Sequence, residues 1–110
     1  MSDTKYAGTA AYYFDRLKTT VAERVDNQEI DSGIALVETA WKQGRQIITL
    51  GNGGSSMTAL HFITDWNKSI FMSTGIPFRG RTLVDNMGLL MAYGNDTSFQ
   101  DIFIEQLKNI

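Results

Sequence analysis

Cysteine is absent from these 110 residues, and proline and histidine occur once each, at Pro77 and His61. No cysteine means no disulfide framework and no thiolate chemistry, and it favours the cytosol, so a cytoplasmic protein is expected. Charge of one sign is also scarce: ten Lys and Arg against twelve Asp and Glu leave a net −2, with a pI near 5.2. Nucleic-acid binding needs a basic face, so no nucleic-acid partner is expected. No apolar run reaches the roughly 20 residues that span a bilayer, and no basic start leads into an apolar stretch, so neither membrane nor signal peptide is expected. Repeats and low-complexity tracts are missing as well. What remains is an ordinary soluble composition, 43% hydrophobic and 20% charged, at a length for one domain or less.

The periodicity predicts a long amphipathic helix from Asp3 to about Val25, with Tyr6, Ala10, Phe14 (or Tyr13), Leu17, Val21 and Val25 at three- and four-residue spacing. Asp26-x-x-Glu29 is a capping pair for a second helix, with Ile30, Ile34, Val37 and Trp41 on one stripe and Gly44 as its stop. Gln46 to Leu50 reads as a buried parallel strand. A third helix, capped by Ser55, is expected from about Ser56 to Asn67, followed by a loop over Ser69–Gly80 containing Gly75 and Pro77. Arg81–Val84 is a second strand, and Asp85 caps a helix through Met87, Leu90 and Met91 that Gly94-Asn95-Asp96 ends. Ser98-x-x-Asp101 opens a last helix carrying Phe99, Ile102, Phe103, Gln106 and Leu107. Trp41, Trp66, Met87 and Met91 fall on helical stripes and are expected in the core. The order ααβαβαα is that of an α/β fold. The helical pattern runs to Ile110 without a stop signal, and two strands make a marginal sheet, so the chain is expected to be a fragment or half of a larger assembly.

Chemistry concentrates in Ile47-Ile48-Thr49-Leu50-Gly51-Asn52-Gly53-Gly54-Ser55-Ser56-Met57. A β-branched run, a glycine loop and a helix start present free backbone N–H groups and a positive dipole end, which suits a phosphate. The ordinary alternative is a sharp strand-to-helix connection with no ligand. A P-loop needs a lysine that this loop lacks, and Gly51-x-Gly53-x-x-Ser56 breaks the dinucleotide fingerprint at its third glycine. A sugar phosphate held by backbone N–H groups and the Ser55 or Ser56 hydroxyl fits better. Thr58, His61, Asp65 and Lys68 then form a polar stripe leading away from the loop. His61 and Asp65 could act together on a sugar, as carboxylate base and orienting imidazole, or share a divalent metal; equally, they could be a weak surface pair. Asp85 stands at the carboxyl end of the second strand, where ligands gather in open α/β sheets, or is simply a cap.

Leu50-Gly51-Asn52-Gly53-Gly54-Ser55 with Ala59-x-His61-Phe62, and Gly94-Asn95-Asp96 with Phe99-x-Asp101-x-Phe103, resemble sugar isomerase (SIS) domains, especially the phosphoheptose isomerase branch. The resemblance runs over essentially the whole chain and about the first half of a family member. It implies a Rossmann-like three-layer α/β/α fold behind two long N-terminal helices: one partial SIS domain over 1–110, with a helical segment 1–44 and the first half of the sheet in 45–110. It further implies phosphosugar binding in a homotetramer with sites between subunits, and isomerisation of sedoheptulose 7-phosphate through an enediol; some members carry zinc. Carried over, Asn52, Gly53, Gly54 and Ser55 contact substrate or phosphate, and His61 lines the sugar site. Asp65 takes the place of the catalytic glutamate, and Asp96 belongs to the site-lining Gly-Asn-Asp turn. Asp65 is shorter than glutamate by one methylene, about 1.5 Å. The family's following arginine is missing, with Lys68 the nearest substitute, and its second phosphate loop and later catalytic histidine have no counterpart here. Three functions follow from this reading: an isomerase with Asp65 as base, a non-catalytic regulatory or adaptor protein of SIS type, or a structural fragment without ligand.

Overall fold

The computed structural model describes residues 8–110, in two compact units divided between Ala35 and Leu36. In the first unit, α1 (Ala10–Arg24) begins later than its apolar spacing suggests. Residues 3–7, Tyr6 among them, lie outside the described residues. Gly8 and Thr9 are non-helical, with Thr9 extended at φ −114° and ψ 123°. The described helix thus begins at Ala10, and the expected start at Asp3 falls outside the described residues; glycine costs a helix more than other residues short of proline, which suits the break at Gly8. Tyr13, Phe14, Leu17 and Val21 are all exposed within this unit. The start of α2 (Asn27–Lys42) is as expected: Asp26 Oδ1 accepts from the amides of Gln28 at 2.8 Å and Glu29 at 3.4 Å.

The second unit opens on the end of α2, where Gly44 (φ +66°) donates to Trp41 O and Arg45 to Ala40 O, both at 2.9 Å. That pair of bonds is the Schellman stop predicted at Gly44. β1 (Ile47–Thr49) and β2 (Gly80–Thr82) pair in parallel, Ile47 against Gly80 and Thr49 against Thr82. The mostly helical chain with a small parallel sheet is compatible with an α/β fold. Parallel neighbours need a crossover, and the helical segment between them provides it.

That crossover differs from expectation. α3 (Gly54–Asp65) passes directly into a π-helical segment (Trp66–Ile70) and then α4 (Phe71–Thr74), so the loop expected over Ser69–Gly80 begins only at Gly75. Nothing before Gly75 breaks a helix, and the hydroxyls of Ser73 and Thr74 bond back to the carbonyls of Ser69 and Ile70 at 2.8 and 2.7 Å. Gly75, at φ +72°, ends the run with its amide on Phe71 O.

α5 (Met87–Asp96) is capped by Asn86, whose Oδ1 accepts from Leu89 N at 3.0 Å, and not by Asp85. Capping needs a side chain immediately before the first helical residue, which is Asn86. The Gly94-Asn95-Asp96 turn lies inside the last turn of α5 and does not end it. Thr97 does, its amide and hydroxyl both bonding Tyr93 O. The expected last helix is broken into a 3-10 turn (Phe99–Asp101) and α6 (Ile104–Leu107), with Ser98 Oγ on Asp101 Oδ2 at 2.7 Å.

The core of this unit is Ala59, Phe78, Leu83 and Ile102. Its two buried polar residues, Thr82 and Gln106, are bonded, which avoids a desolvation cost, whereas Trp41 Nε1 is buried without a partner. Thr82 Oγ1 donates to Thr49 O at 3.2 Å, and Gln106 Nε2 to the carbonyls of Leu83 at 3.0 Å and Ile102 at 2.9 Å. Trp66 stacks between Phe62 and Phe78, each ring centre 5.0 Å away. Met87 and Met91, expected in the core, are 74% and 70% exposed: the stripe that places them on one helix face does not say what faces it. Among the described residues no helix is long and apolar enough to cross a membrane.

Candidate functional site

The turn from β1 into α3 is built by its glycines. A Cβ on Gly51 would stand 2.5 Å from the Ser55 carbonyl oxygen, so only glycine allows the loop to close this tightly. Gly53, at φ +57° and ψ −126°, occupies backbone space that residues with a side chain avoid, and it is the cap position of α3. Ser55, expected as the cap, lies inside the first turn. The bend at Gly53 starts the helix two residues earlier than the serine pair suggests.

The loop folds back on itself. Ser55 N bonds Asn52 O at 3.0 Å and Ser56 N bonds Gly53 O at 3.1 Å, while Ser56 Oγ donates to Gly53 O at 2.6 Å. Those two amides are thus turned inward, leaving the Gly53 and Gly54 amides without a bond to the loop's own carbonyls. They sit at the positive end of the α3 dipole.

This loop forms one side of a cleft of about 590 Å³. Gly51, Asn52 and Gly53 face Met87, Met91 and Asn95 across it. Two predicted residues, Asn52 and Gly53, thus share a cavity. Ser55 lies instead along a groove with Ile48, Leu50 and Phe62. His61 and Asp65 line a further hollow with Met57, Thr58 and Phe62, and Met57 also borders the cleft, so the two are neighbours along α3. Gly54, Asp85 and Asp96 line none of these three. Asp96 is exposed and accepts from Asn95 Nδ2 at 3.1 Å, so of the Gly-Asn-Asp turn it is Gly94 and Asn95 that reach the cleft. Phe99 and the methionines of the far wall were not foreseen as lining residues; their helical spacing carried no sign of it.

His61 Nε2 and Asp65 Oδ2 stand 3.3 Å apart, with side chains 75% and 62% exposed. The i, i+4 spacing brings them together, as expected of neighbours on one helix face. Zinc in catalytic sites takes three protein ligands. Among the described residues no group of three or more His, Asp or Glu side chains converges, so the pair by itself does not fit a zinc site.

No family model matches the chain, and no solved structure does. Curated proteins do. A phosphoheptose isomerase of Citrifermentans bemidjiense is 32% identical over 80 residues, 72% of this chain and 41% of that protein. Another, of Syntrophotalea carbinolica, is 29% identical over 100 residues, 87% of this chain and 50% of its own length. The lincomycin biosynthesis protein LmbN of Streptomyces lincolnensis is 33% identical over 77 residues, 70% of this chain and 28% of its own. The chain spans half or less of the length of each of these relatives. Its resemblance to phosphoheptose isomerases is borne out by this repeated similarity, and the chain is a relative of the phosphoheptose isomerases.

Proposed function

We propose that this chain is a phosphosugar-binding SIS domain of the phosphoheptose isomerase type. In this reading it is a partial Rossmann-like three-layer domain, with the helical segment 1–44 leading into the first half of the sheet in 45–110, and it works as a homo-oligomer in the cytoplasm. The observation that carries the reading is the glycine loop: two unengaged amides, Gly53 and Gly54, at the N-terminus of α3 and beside an open cleft. The names of the relatives support a sugar phosphate as the ligand. So does distance. His61 lies seven residues past Gly54, about 10 Å along a helix rising about 1.5 Å per residue. A seven-carbon ketose with a terminal phosphate spans on the order of 9 Å from carbonyl carbon to phosphorus when extended, seven bonds of about 1.5 Å laid in a zigzag.

Phosphate bound at the loop would place the carbonyl end of such a sugar near His61 and Asp65. Asp65 would then take the proton from the carbon beside the carbonyl. The C–H electron pair becomes the enediol double bond, and the carbonyl oxygen takes up the displaced charge and a proton from water. Asp65 then returns its proton to the former carbonyl carbon as the neighbouring hydroxyl gives up its own and becomes the new carbonyl. His61 would orient that oxygen. The wide exposure of His61 and Asp65 favours a second reading, in which this chain binds the sugar phosphate without turning it over and serves a regulatory or adaptor role through its partners. Turnover in water-exposed geometry lacks the exclusion of solvent that strengthens such groups.

The test is an NMR titration of the chain with sedoheptulose 7-phosphate and, in parallel, with inorganic phosphate. Saturable shifts of the Gly53 and Gly54 amides with both are expected; static amides in a folded protein would end the proposal. Conversion of the sugar, abolished by Asp65→Asn, selects the isomerase, and binding without conversion selects the regulatory reading.

A further inference from the structure

Three features meet at the far end of α3. The helix changes to π-helical geometry at Trp66, directly after Asp65. Within that segment Asn67 clamps the first residue of β2: its Oδ1 accepts from Gly80 N at 2.8 Å and its Nδ2 donates to Gly80 O at 2.9 Å. Arg79, just before, takes φ +60°, the only positive φ outside glycine among the described residues. The amide of Asn67 thus does for β2 what a neighbouring strand would do. Gly80 has no room for more, since a Cβ there would lie 2.8 Å from both Asn67 Oδ1 and Ile63 Cδ1. π turns are rare and occur often at functional sites, and a strained residue outside glycine needs surroundings that over-determine it.

A second tie holds α3 to the sheet upstream, where Thr49 Oγ1 donates to Ala59 O at 2.8 Å. The ties at 59 and 67 bracket His61 and Asp65 in sequence. At about 100° per residue as far as Asp65, and somewhat less across the π turn, Asn67 lies within about 80° of Ala59 around the helix, while His61 and Asp65 lie at about 200° and 240°. The pair therefore sits on the helix face opposite the one that is tied. Fixing the tied face fixes the direction of the pair.

We infer that Asn67 is a positioning residue: through its clamp on Gly80 it sets the rotation of the end of α3, and with it the direction in which Asp65 and His61 face relative to the glycine loop. This rests on the phosphosugar reading for its functional consequence but not for its geometry. Released from Gly80, residues 66–70 would relax to i, i+4 bonding, and the His61–Asp65 stretch would turn about the helix axis while residues 51–56, held by their own bonds, stay in place.

The experiment compares the full chain with its Asn67→Ala and Asn67→Asp variants. Asn67→Asp keeps size and acceptor but replaces the donor with an oxygen facing the Gly80 carbonyl. Residual dipolar couplings of the backbone amides read the orientation of residues 60–70 against β1 and the loop. Both variants are expected to stay folded, with couplings altered over 60–70 and unchanged over 51–56. Inorganic phosphate should bind the loop within about twofold of the original, while sedoheptulose 7-phosphate should bind about tenfold more weakly, the loss of a hydrogen-bonded contact. Unchanged couplings over 60–70 in a folded variant overturn the inference, as does equal weakening of both ligands. Unfolding of both variants overturns it too, since the clamp would then serve the fold as a whole. If neither ligand moves the original chain, the phosphosugar reading fails by itself, and the couplings still decide the role of Asn67.

Discussion

At its first turn α3 is held by contacts inside residues 51–56, whereas beyond its last turn it is held by Asn67 reaching thirteen residues on to Gly80. The first arrangement is backbone on backbone, and a single methyl group at Gly51 would drive into a carbonyl. The second is side chain on backbone, and a methyl at Gly80 would meet the ends of two flexible side chains. The loop is thus a rigid seat, and the far end an adjustable joint. Between them stand His61 and Asp65, so the proposed anion seat and the groups proposed to act on the sugar are positioned independently.

Substitutions at the two ends should separate these roles. The largest effect is expected from Gly51→Ala. With backbone atoms 2.5 and 2.7 Å away, the loop has to open, at a cost of about 3 kcal/mol in urea unfolding, together with loss of phosphate shifts at Gly53 and Gly54. A stable Gly51→Ala protein that still binds phosphate would show the seat to be less rigid than its geometry requires. Gly80→Ala should cost less, about 1 kcal/mol, because Asn67 and Ile63 can swing aside. It should change the amide shifts of residues 66–70 and leave those of 51–56 unaltered; changes at both ends would mean that the helix moves as one body. Asp65→Asn should alter stability least, by under about 0.5 kcal/mol, since the pair it breaks is open to solvent. A larger loss in thermal unfolding would mean that Asp65 holds the fold rather than a ligand.

Much of the chain's course was legible because its signals act over a few residues. Asp26 caps α2 by bonding amides two and three positions on, and at Gly44 the helix stops through two bonds, from Gly44 to the carbonyl three positions back and from Arg45 to the one five back. The strand, glycine loop and helix of 47–65 follow in the expected order, and the pairing is parallel as expected, although β1, read as a buried strand, is half-buried along its length. Where two neighbours compete for one task, the local reading fails by a residue or two. Asn86 caps α5 in place of Asp85, and Gly53 takes the position expected of Ser55.

The amino-acid sequence by itself determined the Asp26 cap and Gly44 stop of α2, the glycine turn, the His61–Asp65 spacing and the kinship with phosphoheptose isomerases, because each depends on residue identity at short, fixed separation. Only the tertiary structure decided that the helix runs through a π turn to Thr74, that Asn67 grips Gly80, that Met87 and Met91 wall an open cleft, and that Asn95 rather than Asp96 reaches it. Those outcomes depend on which helix face meets which strand. Periodicity shows that a face exists; packing between residues distant in the chain decides what it touches.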